Sequence, residues 1–148
     1  MNAIFTDAFF DEKWAAILSL VNKGTKLQTD MQRVDFSESC LTRYDLSYVD
    51  LSGANISYAD WHRINLEGAN LRGANLEWIN LSGANLRNVD FTNAKLYGAS
   101  VEYADLTGAI LSKRQLNDIS VINCAWGPDG IRFQEIDGTR CENDLPYP

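Results

Sequence analysis

A leucine recurs at every fifth residue between residues 65 and 88, and this spacing restricts the fold more than any other feature of the chain. The stretch reads NLEGANLRGANLEWINLSGANLRN, and an asparagine precedes each of its leucines. The repeated leucines are Leu66, Leu71, Leu76, Leu81 and Leu86. Any fold for this stretch has to explain why one apolar residue is needed every five positions.

Neither an α-helix nor a flat β-strand keeps every fifth residue on one face. In a helix, five residues advance by about 500°, so successive leucines would drift around the axis by about 140°. In a strand, side chains alternate with a period of two, so leucines five apart would point to opposite faces. A chain that bends once per repeat, always in the same sense, keeps all of them inside. The period therefore predicts a solenoid of short extended pieces joined by turns.

The same register extends from Met31 to Leu116. All 18 residues at the centre of the repeat are apolar, and 12 of them are leucine. Alanine is the commonest residue two positions before the centre, and Asp or Asn immediately precedes the centre in 13 repeats. Glycine recurs two positions after the centre, where a type II turn requires a positive φ. These preferences predict two inward positions and one turn in each repeat, with the Asp and Asn side chains bonded to nearby backbone groups.

The repeat A-(D/N)-L-x-x, as in Ala69-Asn70-Leu71-Arg72-Gly73, resembles the repeat of the pentapeptide repeat family. The resemblance covers about residues 29–118 and implies an all-β solenoid, the right-handed quadrilateral β-helix. Four pentapeptides form one square coil in that fold, so this region corresponds to about 18 repeats and about 4.5 coils. The predicted organisation is an N-terminal helical cap over residues 1–28, the β-helix over 29–118, and a C-terminal cap with an extended tail over 119–148.

A solenoid exposes its core at both ends unless other segments cover it. Apolar residues at helical spacing within residues 7–23, Trp14 and Leu18 among them, predict a capping α-helix over the first coil. After residue 118, apolar residues flank the turn sequence Gly127-Pro128-Asp129-Gly130, which predicts a capping hairpin or loop. With both ends covered we expect a monomer. The family resemblance keeps a dimer through the C-terminal end as the alternative.

The charge and the cysteines restrict partners and compartment. The net charge is −7, and an acidic surface repels phosphate, so we expect no direct binding to nucleic acid and none to anionic membranes. Neither a signal peptide nor an apolar stretch of membrane-spanning length is recognisable. The three cysteines, Cys40, Cys124 and Cys141, lack metal-ligand spacing, which favours reduced thiols and a cytoplasmic location. Similarity to small repeat proteins of cyanobacteria indicates a bacterial source.

The sequence lacks the patterns that are typical of enzymes. Its one histidine, His62, lies in an outward slot after Trp61, and there is no phosphate-binding loop and no cluster of metal-ligand residues. We therefore expect no catalytic residue, no cofactor and no metal. The function then has to reside on the outer surface.

A set of outward aromatic residues is the leading candidate for a binding surface. Tyr58 and Trp78 occupy the same slot on successive coils, and Tyr97 lies in the neighbouring slot one coil further on. Stacked rings either stabilise a β ladder or anchor a protein partner. The leading hypothesis is a non-enzymatic protein–protein interaction module whose partner is unidentified.

A second set of outward residues is acidic. Asp30, Asp50 and Asp90 share one face, with Asn70 between them. These carboxylates either cap turns or imitate the charge of DNA. The second reading would make the chain a DNA-mimicking inhibitor of a type II topoisomerase, as the resemblance to family members that protect against quinolones implies. We retain it as the alternative function, although basic residues such as Arg72 interrupt the acidic face.

Overall fold

The computed structural model describes residues 31–130, and in this range the chain winds as a solenoid with four repeats per coil. Parallel β-bridges join residues twenty positions apart, from Asp35 and Asn55 at one end to Asp90 and Ile110 near the other. Twenty residues are four pentapeptides, so the four-sided coil follows directly from this spacing. In the regular coils, which extend to Ile110, each side of the coil is a single bridge followed by a turn. The predicted N-terminal helix and residues 131–148 of the predicted tail lie outside the described residues.

Backbone hydrogen bonds join each coil to the next with the same spacing. The N–H of Leu71 donates to the carbonyl of Asp90 at 2.9 Å, and the N–H of Gly73 donates to the carbonyl of Thr92 at 2.9 Å. Within the repeat, the N–H of Ala74 donates to the carbonyl of Leu71 at 3.1 Å and closes the corner. The backbone alone therefore supplies both the corner and the ladder.

The residue two positions after each regular centre lies in the left-handed region, whether or not it is glycine. At the corner glycines from Gly53 to Gly108, φ ranges from 65° to 75°. Eleven non-glycine residues, including Tyr58 and Trp78, have φ between 57° and 62°. The positive φ predicted for the glycines is confirmed, and the structure extends the rule to residues for which this region costs about 1–2 kcal/mol each. The ladder imposes the conformation on these side chains.

Trp61 shows how the narrow interior accepts a residue larger than leucine. The sequence predicts a local bulge or a rotated side chain here, but Trp61 is fully buried and the bridges on both sides of it keep their regular spacing. Its Nε1 donates to Oγ of Ser39 at 2.9 Å, and its ring meets Phe36 edge-on with centroids 5.8 Å apart. Ser39 occupies the slot that alanine usually fills, one coil earlier. A small residue with a hydroxyl at this place both makes room for the indole and satisfies its N–H.

A short helix, α1, interrupts the solenoid at Lys113–Asp118. Ser112 caps it, and Ser112 and Gln115 exchange hydrogen bonds as a capping box. The prediction that Leu116 is the centre of a regular repeat is wrong, because Leu116 lies in α1 and is only partly buried. Neither α1 nor any other helix within residues 31–130 has the length and apolar character needed to cross a membrane.

Gln115 is the buried residue of α1, and its side chain replaces a backbone group. In the regular ladder an N–H group donates to the carbonyl 21 residues before it, as Asn75 donates to Ala54. By this rule the backbone N–H of residue 115 would donate to the carbonyl of Ala94. Helix formation removes this N–H. Instead, Nε2 of Gln115 donates to the carbonyls of Ala94 at 3.0 Å and Phe91 at 2.7 Å. The amide therefore keeps a buried carbonyl paired where the ladder is broken.

After α1 the solenoid resumes with one extra residue. Bridges join Ser100 to Val121 and Asp105 to Trp126, and both are parallel. The predicted capping hairpin or loop is therefore not found over residues 121–130, which continue the coil. The residues of Gly127-Pro128-Asp129-Gly130 form a repeat corner, closed by a hydrogen bond of 2.9 Å from the N–H of Gly130 to the carbonyl of Gly127.

Replacing Gly73 by alanine should destabilise the protein through backbone strain alone. A Cβ at Gly73 would meet no atom within 4 Å, but its φ is +66°. We expect the free energy of unfolding to fall by about 1 kcal/mol, measured by urea denaturation. Arg63→Ala is the matched control because Arg63 already has a φ of 58°. Equal losses in the two variants would contradict the assigned strain.

Replacing Gln115 by glutamate should remove the donor that pairs the carbonyls of Phe91 and Ala94. Because the new side chain has nearly the same shape and only accepts, we expect the free energy of unfolding to fall by about 2 kcal/mol or more at neutral pH. Asn117→Asp, the same chemical change at an exposed position of α1, is the control in the same denaturation experiment. A Gln115→Glu variant as stable as this control would show that the amide does not hold the broken ladder.

Candidate functional site

Tyr58, Trp78 and Tyr97, here called the aromatic strip, lie on one side of the solenoid. Tyr58 and Trp78 are corner residues of successive coils, and Tyr97 is the first turn residue of the coil that follows. Their exposed fractions are 63%, 49% and 59%, respectively. The strip therefore presents three large aromatic side chains to solvent on one face.

The indole of Trp78 is held in place by its neighbours. Its ring meets that of Tyr97 edge-on, with centroids 5.5 Å apart and an interplanar angle of 89°. It also lies over Gly98, where a Cβ would come within 2.5 Å of the indole. Tyr58 forms no ring contact of this kind within residues 31–130. The strip thus consists of one fixed pair, Trp78 with Tyr97, and a separate tyrosine below it.

The carboxylate of Asp50 is occupied by hydrogen bonds inside the solenoid. Its Oδ1 accepts from the N–H of Ser52 and from Nδ2 of Asn70, both at 3.0 Å, and its Oδ2 accepts from Nε2 of Gln32 at 3.0 Å. The bond from the Ser52 N–H contributes most to a pKa that lies below the usual value of 3.8, against a smaller effect of burial. Asp50 therefore caps its turn and links two coils.

Asp90 is paired in a similar way. Its Oδ1 accepts from the N–H of Thr92 at 2.9 Å, and its Oδ2 accepts from Nη1 of Arg72 at 3.0 Å. Burial acts to raise the pKa of Asp90, but the bonds from Thr92 and the nearby Arg72 together outweigh it, so that the pKa lies below 3.8. Asp30, the remaining member of the acidic set, lies outside the described residues. Asp50 and Asp90 thus both accept hydrogen bonds from groups of the solenoid itself, and one of the donors to Asp90 is the cationic Arg72.

The titratable and thiol side chains of residues 31–130 include the imidazole of His62 and the cysteines Cys40 and Cys124. Nδ1 of His62 contacts Oδ1 of Asp60 at 2.9 Å and Oγ1 of Thr42 at 3.3 Å, in a half-exposed position. No group of three or more potential metal ligands occurs in this part of the chain. Cys40 is a free and exposed thiol, whereas Cys124 is disulfide-bonded. The prediction of reduced thiols is therefore wrong for Cys124.

A groove beside α1 is a feature that the sequence reading missed. It has a volume of about 750 Å³ and lies between α1 and the last regular coil. Tyr97 lines it, so the groove is continuous with the aromatic strip. The sequence signal for it was the spacing of Ser112 and Gln115, a capping box that marks the start of α1.

The chain is similar to proteins that share this repeat. Residues 45–83 and 74–112 match the family description "Pentapeptide repeats", in 8 copies. A pentapeptide repeat protein from Nostoc Pcc 7120, known from its crystal structure, is 25% identical and covers 72% of this chain and 93% of its own, with a TM-score of 0.57.

Two further solved structures share less of the fold. A pentapeptide repeat protein from the thylakoid lumen of Arabidopsis thaliana is 27% identical over 65% of this chain and 63% of its own, with a TM-score of 0.30. QnrB1, a plasmid-mediated fluoroquinolone resistance protein, is 23% identical over 53% of this chain and 51% of its own, with a TM-score of 0.23. At such TM-scores neither is a guide to function. No curated protein matches the sequence of this chain.

The solenoid should lose stability in acid through Asp50 and Asp90. Because the folded pKa of each lies below 3.8, the stability they contribute is fully present above that value and is lost as the pH falls through the lowered folded pKa. A variant with both Asp50→Asn and Asp90→Asn should lose less unfolding free energy than the wild type between about pH 5 and about pH 2.5, measured by urea denaturation. Parallel pH profiles for the two proteins would contradict this assignment.

Proposed function

We propose that this chain, whose residues 45–83 and 74–112 match the pentapeptide repeat family, is a non-enzymatic protein-binding module, a right-handed four-sided tower that presents the aromatic strip to a protein partner. The observation that carries the proposal is the exposure of Tyr58, Trp78 and Tyr97 on one face. Trp and Tyr are enriched among the residues that dominate protein interfaces.

The rigidity of the strip supports a binding role. Trp78 is fixed by the Tyr97 ring and by the flat surface over Gly98. A side chain that is already ordered loses little conformational entropy when a partner covers it, which leaves more of the contact energy for affinity. The backbone beneath is held by the ladder, as in the bond of 2.9 Å from the N–H of Trp78 to the carbonyl of Tyr97.

A purely stabilising role explains only part of the strip. Trp78 and Tyr97 contact each other, yet about half of each side chain or more remains exposed. Tyr58 is 63% exposed and has no ring partner in the described range. On the face that carries Tyr48, the next corners are Gly68 and Asn88, so the aromatic character does not continue there. The accumulation on one face is what a docking surface requires.

The alternative, DNA mimicry directed at a type II topoisomerase, is less favoured by the geometry. Asp50 and Asp90 accept hydrogen bonds from their own turns, and Arg72 lies against the carboxylate of Asp90. Asn70 separates the two acidic residues on this face. A DNA mimic needs unpaired negative charge in a regular array, and the described part of this face carries little.

The search for a partner should include oxidising compartments. The predicted cytoplasmic location rests on reduced cysteines together with the lack of a recognisable signal peptide, and the disulfide at Cys124 removes the first of these grounds. Disulfides persist mainly outside the cytosol of ordinary bacteria and eukaryotes. We therefore propose that the partner be sought in secreted, periplasmic or lumenal fractions as well as in the cytoplasm.

Replacing Trp78 by alanine should weaken partner binding by about tenfold or more, because this change removes the fixed anchor of the strip. The partner is first identified by affinity capture from native extract, and its affinity for each variant is then measured by calorimetry. Tyr48→Ala removes another exposed corner aromatic from a different face and is the matched control. Equal affinities for the wild type and the Trp78→Ala variant would contradict the proposed docking surface.

A further inference from the structure

The hydrogen-bond ladder between complete coils follows a fixed rule. The N–H of an inward residue and that of its corner residue each donate to a carbonyl nineteen residues ahead. Gly73 donates in this way to Thr92, and Leu76 donates to Lys95, both at 2.9 Å. We call two neighbouring hydrogen bonds of this kind a rung. The two acceptor carbonyls of the rung formed by Gly73 and Leu76 are three residues apart, at Thr92 and Lys95. The rule shows where the next rung should lie.

The next rung is missing where α1 replaces the coil. By the same spacing, the N–H groups of Asn93 and Leu96 would donate to the carbonyls of residues 112 and 115. Neither N–H has an acceptor within residues 31–130. Leu96 is only 2% exposed, and an unpaired N–H on so buried a residue is rare and unfavourable. The edge thus carries two donors without protein acceptors in the described range.

The gap is short, because the ladder is intact on both sides of it. The N–H of Phe91 donates to the carbonyl of Ile110 at 2.9 Å, and the N–H of Gly98 donates to the carbonyl of Asp118 at 3.0 Å. The carbonyl of Ala94, which also lies in the gap, is already paired with Gln115. Only donors are therefore left over, and an occupant has to bring acceptors.

The groove of about 750 Å³ beside α1 lies along this edge and is lined by Asn93 and Leu96. Lys95 and Arg114 line it with positive charge, and Glu77 and Asp118 line it with negative charge. Ile110, 57% exposed, adds an apolar wall. Since the side-chain charges balance, the groove suits an uncharged main chain with its carbonyls better than it suits an anion.

We propose that a segment of a protein partner completes the missing rung by following the bent path of a pentapeptide, with one left-handed corner between two carbonyls that accept from the N–H groups of Asn93 and Leu96. Addition of an extended peptide to an open sheet edge is an established mode of recognition. The intact rungs set the spacing of the two carbonyls at three residues, and Ile110 favours a small or apolar side chain beside them. Tyr97 belongs to both the groove and the aromatic strip. We therefore expect one partner to cover both surfaces, and in this respect the inference rests on the proposed function.

The first measurement is amide hydrogen exchange on the full chain by NMR. In the free protein, the amides of Asn93 and Leu96 should exchange at least about tenfold faster than those of Gly73 and Leu76, which hold the equivalent positions one coil earlier. Slow exchange at Asn93 and Leu96 overturns the proposal, because the donors are then already paired. If dilution speeds that exchange, a second copy occupies the edge; if dilution has no effect, another part of the same chain does.

The second measurement uses 12-residue random peptides displayed on phage and selected on the full chain. A selected peptide should slow the exchange of the Asn93 and Leu96 amides by about tenfold or more and leave those of Gly73 and Leu76 unchanged. Ile110→Asp should weaken its binding by about tenfold or more. Tyr48→Ala, which removes an exposed corner aromatic from a different face, is the control and should leave peptide binding intact.

Two outcomes of this selection overturn the inference: no peptide is enriched, or enriched peptides bind without protecting Asn93 and Leu96. The failure of the proposed function is seen separately. If Trp78→Ala abolishes partner binding while the partner leaves the Asn93 and Leu96 amides unprotected, the docking surface stands and the groove inference falls. If Trp78→Ala leaves partner binding unchanged while selected peptides protect both amides, the groove binds peptides and the proposed docking surface falls.

Discussion

The left-handed corner at every fifth residue allows each coil to lie directly on the one before it, and the core and the surface both follow from this geometry. The corner is closed by the backbone, so its side chains are not needed to form it. The strain of about 1–2 kcal/mol at a non-glycine corner such as Arg63 is offset by burial of an inward side chain in the same repeat, which contributes about 1.5–3 kcal/mol. Inward positions are therefore restricted to apolar residues, while corner residues are free to vary.

The inward positions of the described repeats could be predicted from the sequence because burial imposes an apolar residue at each of them. The helix α1 could not be predicted from the period. Leu116 still stands five residues after the preceding apolar centre, although the backbone around it is helical. The informative signals were local: the capping box of Ser112 and Gln115, and Arg114 in the slot usually filled by alanine. The bulge predicted at Trp61 does not occur, because the room that the indole needs is provided by Ser39, a full coil away.

The candidate surfaces were predictable to different degrees. The alignment of Tyr58 with Trp78 follows from the period once four repeats make a coil. The predicted bond from an Asp side chain to its own turn is found at Asp50 and Asp90, because it depends only on local geometry. Their partners across the coils, Gln32 and Arg72, depend on which side chains lean toward each other. The groove could not be predicted from the period, because it arises where α1 removes a rung of the ladder, and only the capping box of Ser112 and Gln115 marks that place in the sequence.

Corner residues can determine which partner this fold binds, because their side chains are free to vary. Tyr58 is the clearest example. The contacts of Trp78 with Gly98 and Tyr97 offset part of the strain of its left-handed conformation. Tyr58 holds the same strained conformation, with φ of 58°, is mostly exposed, and has no ring partner within residues 31–130. Stability alone would accept glycine here, as at Gly53 and Gly73. Contact with another protein gives a reason for a large aromatic side chain at this corner, because it buries the ring that the tower leaves in solvent.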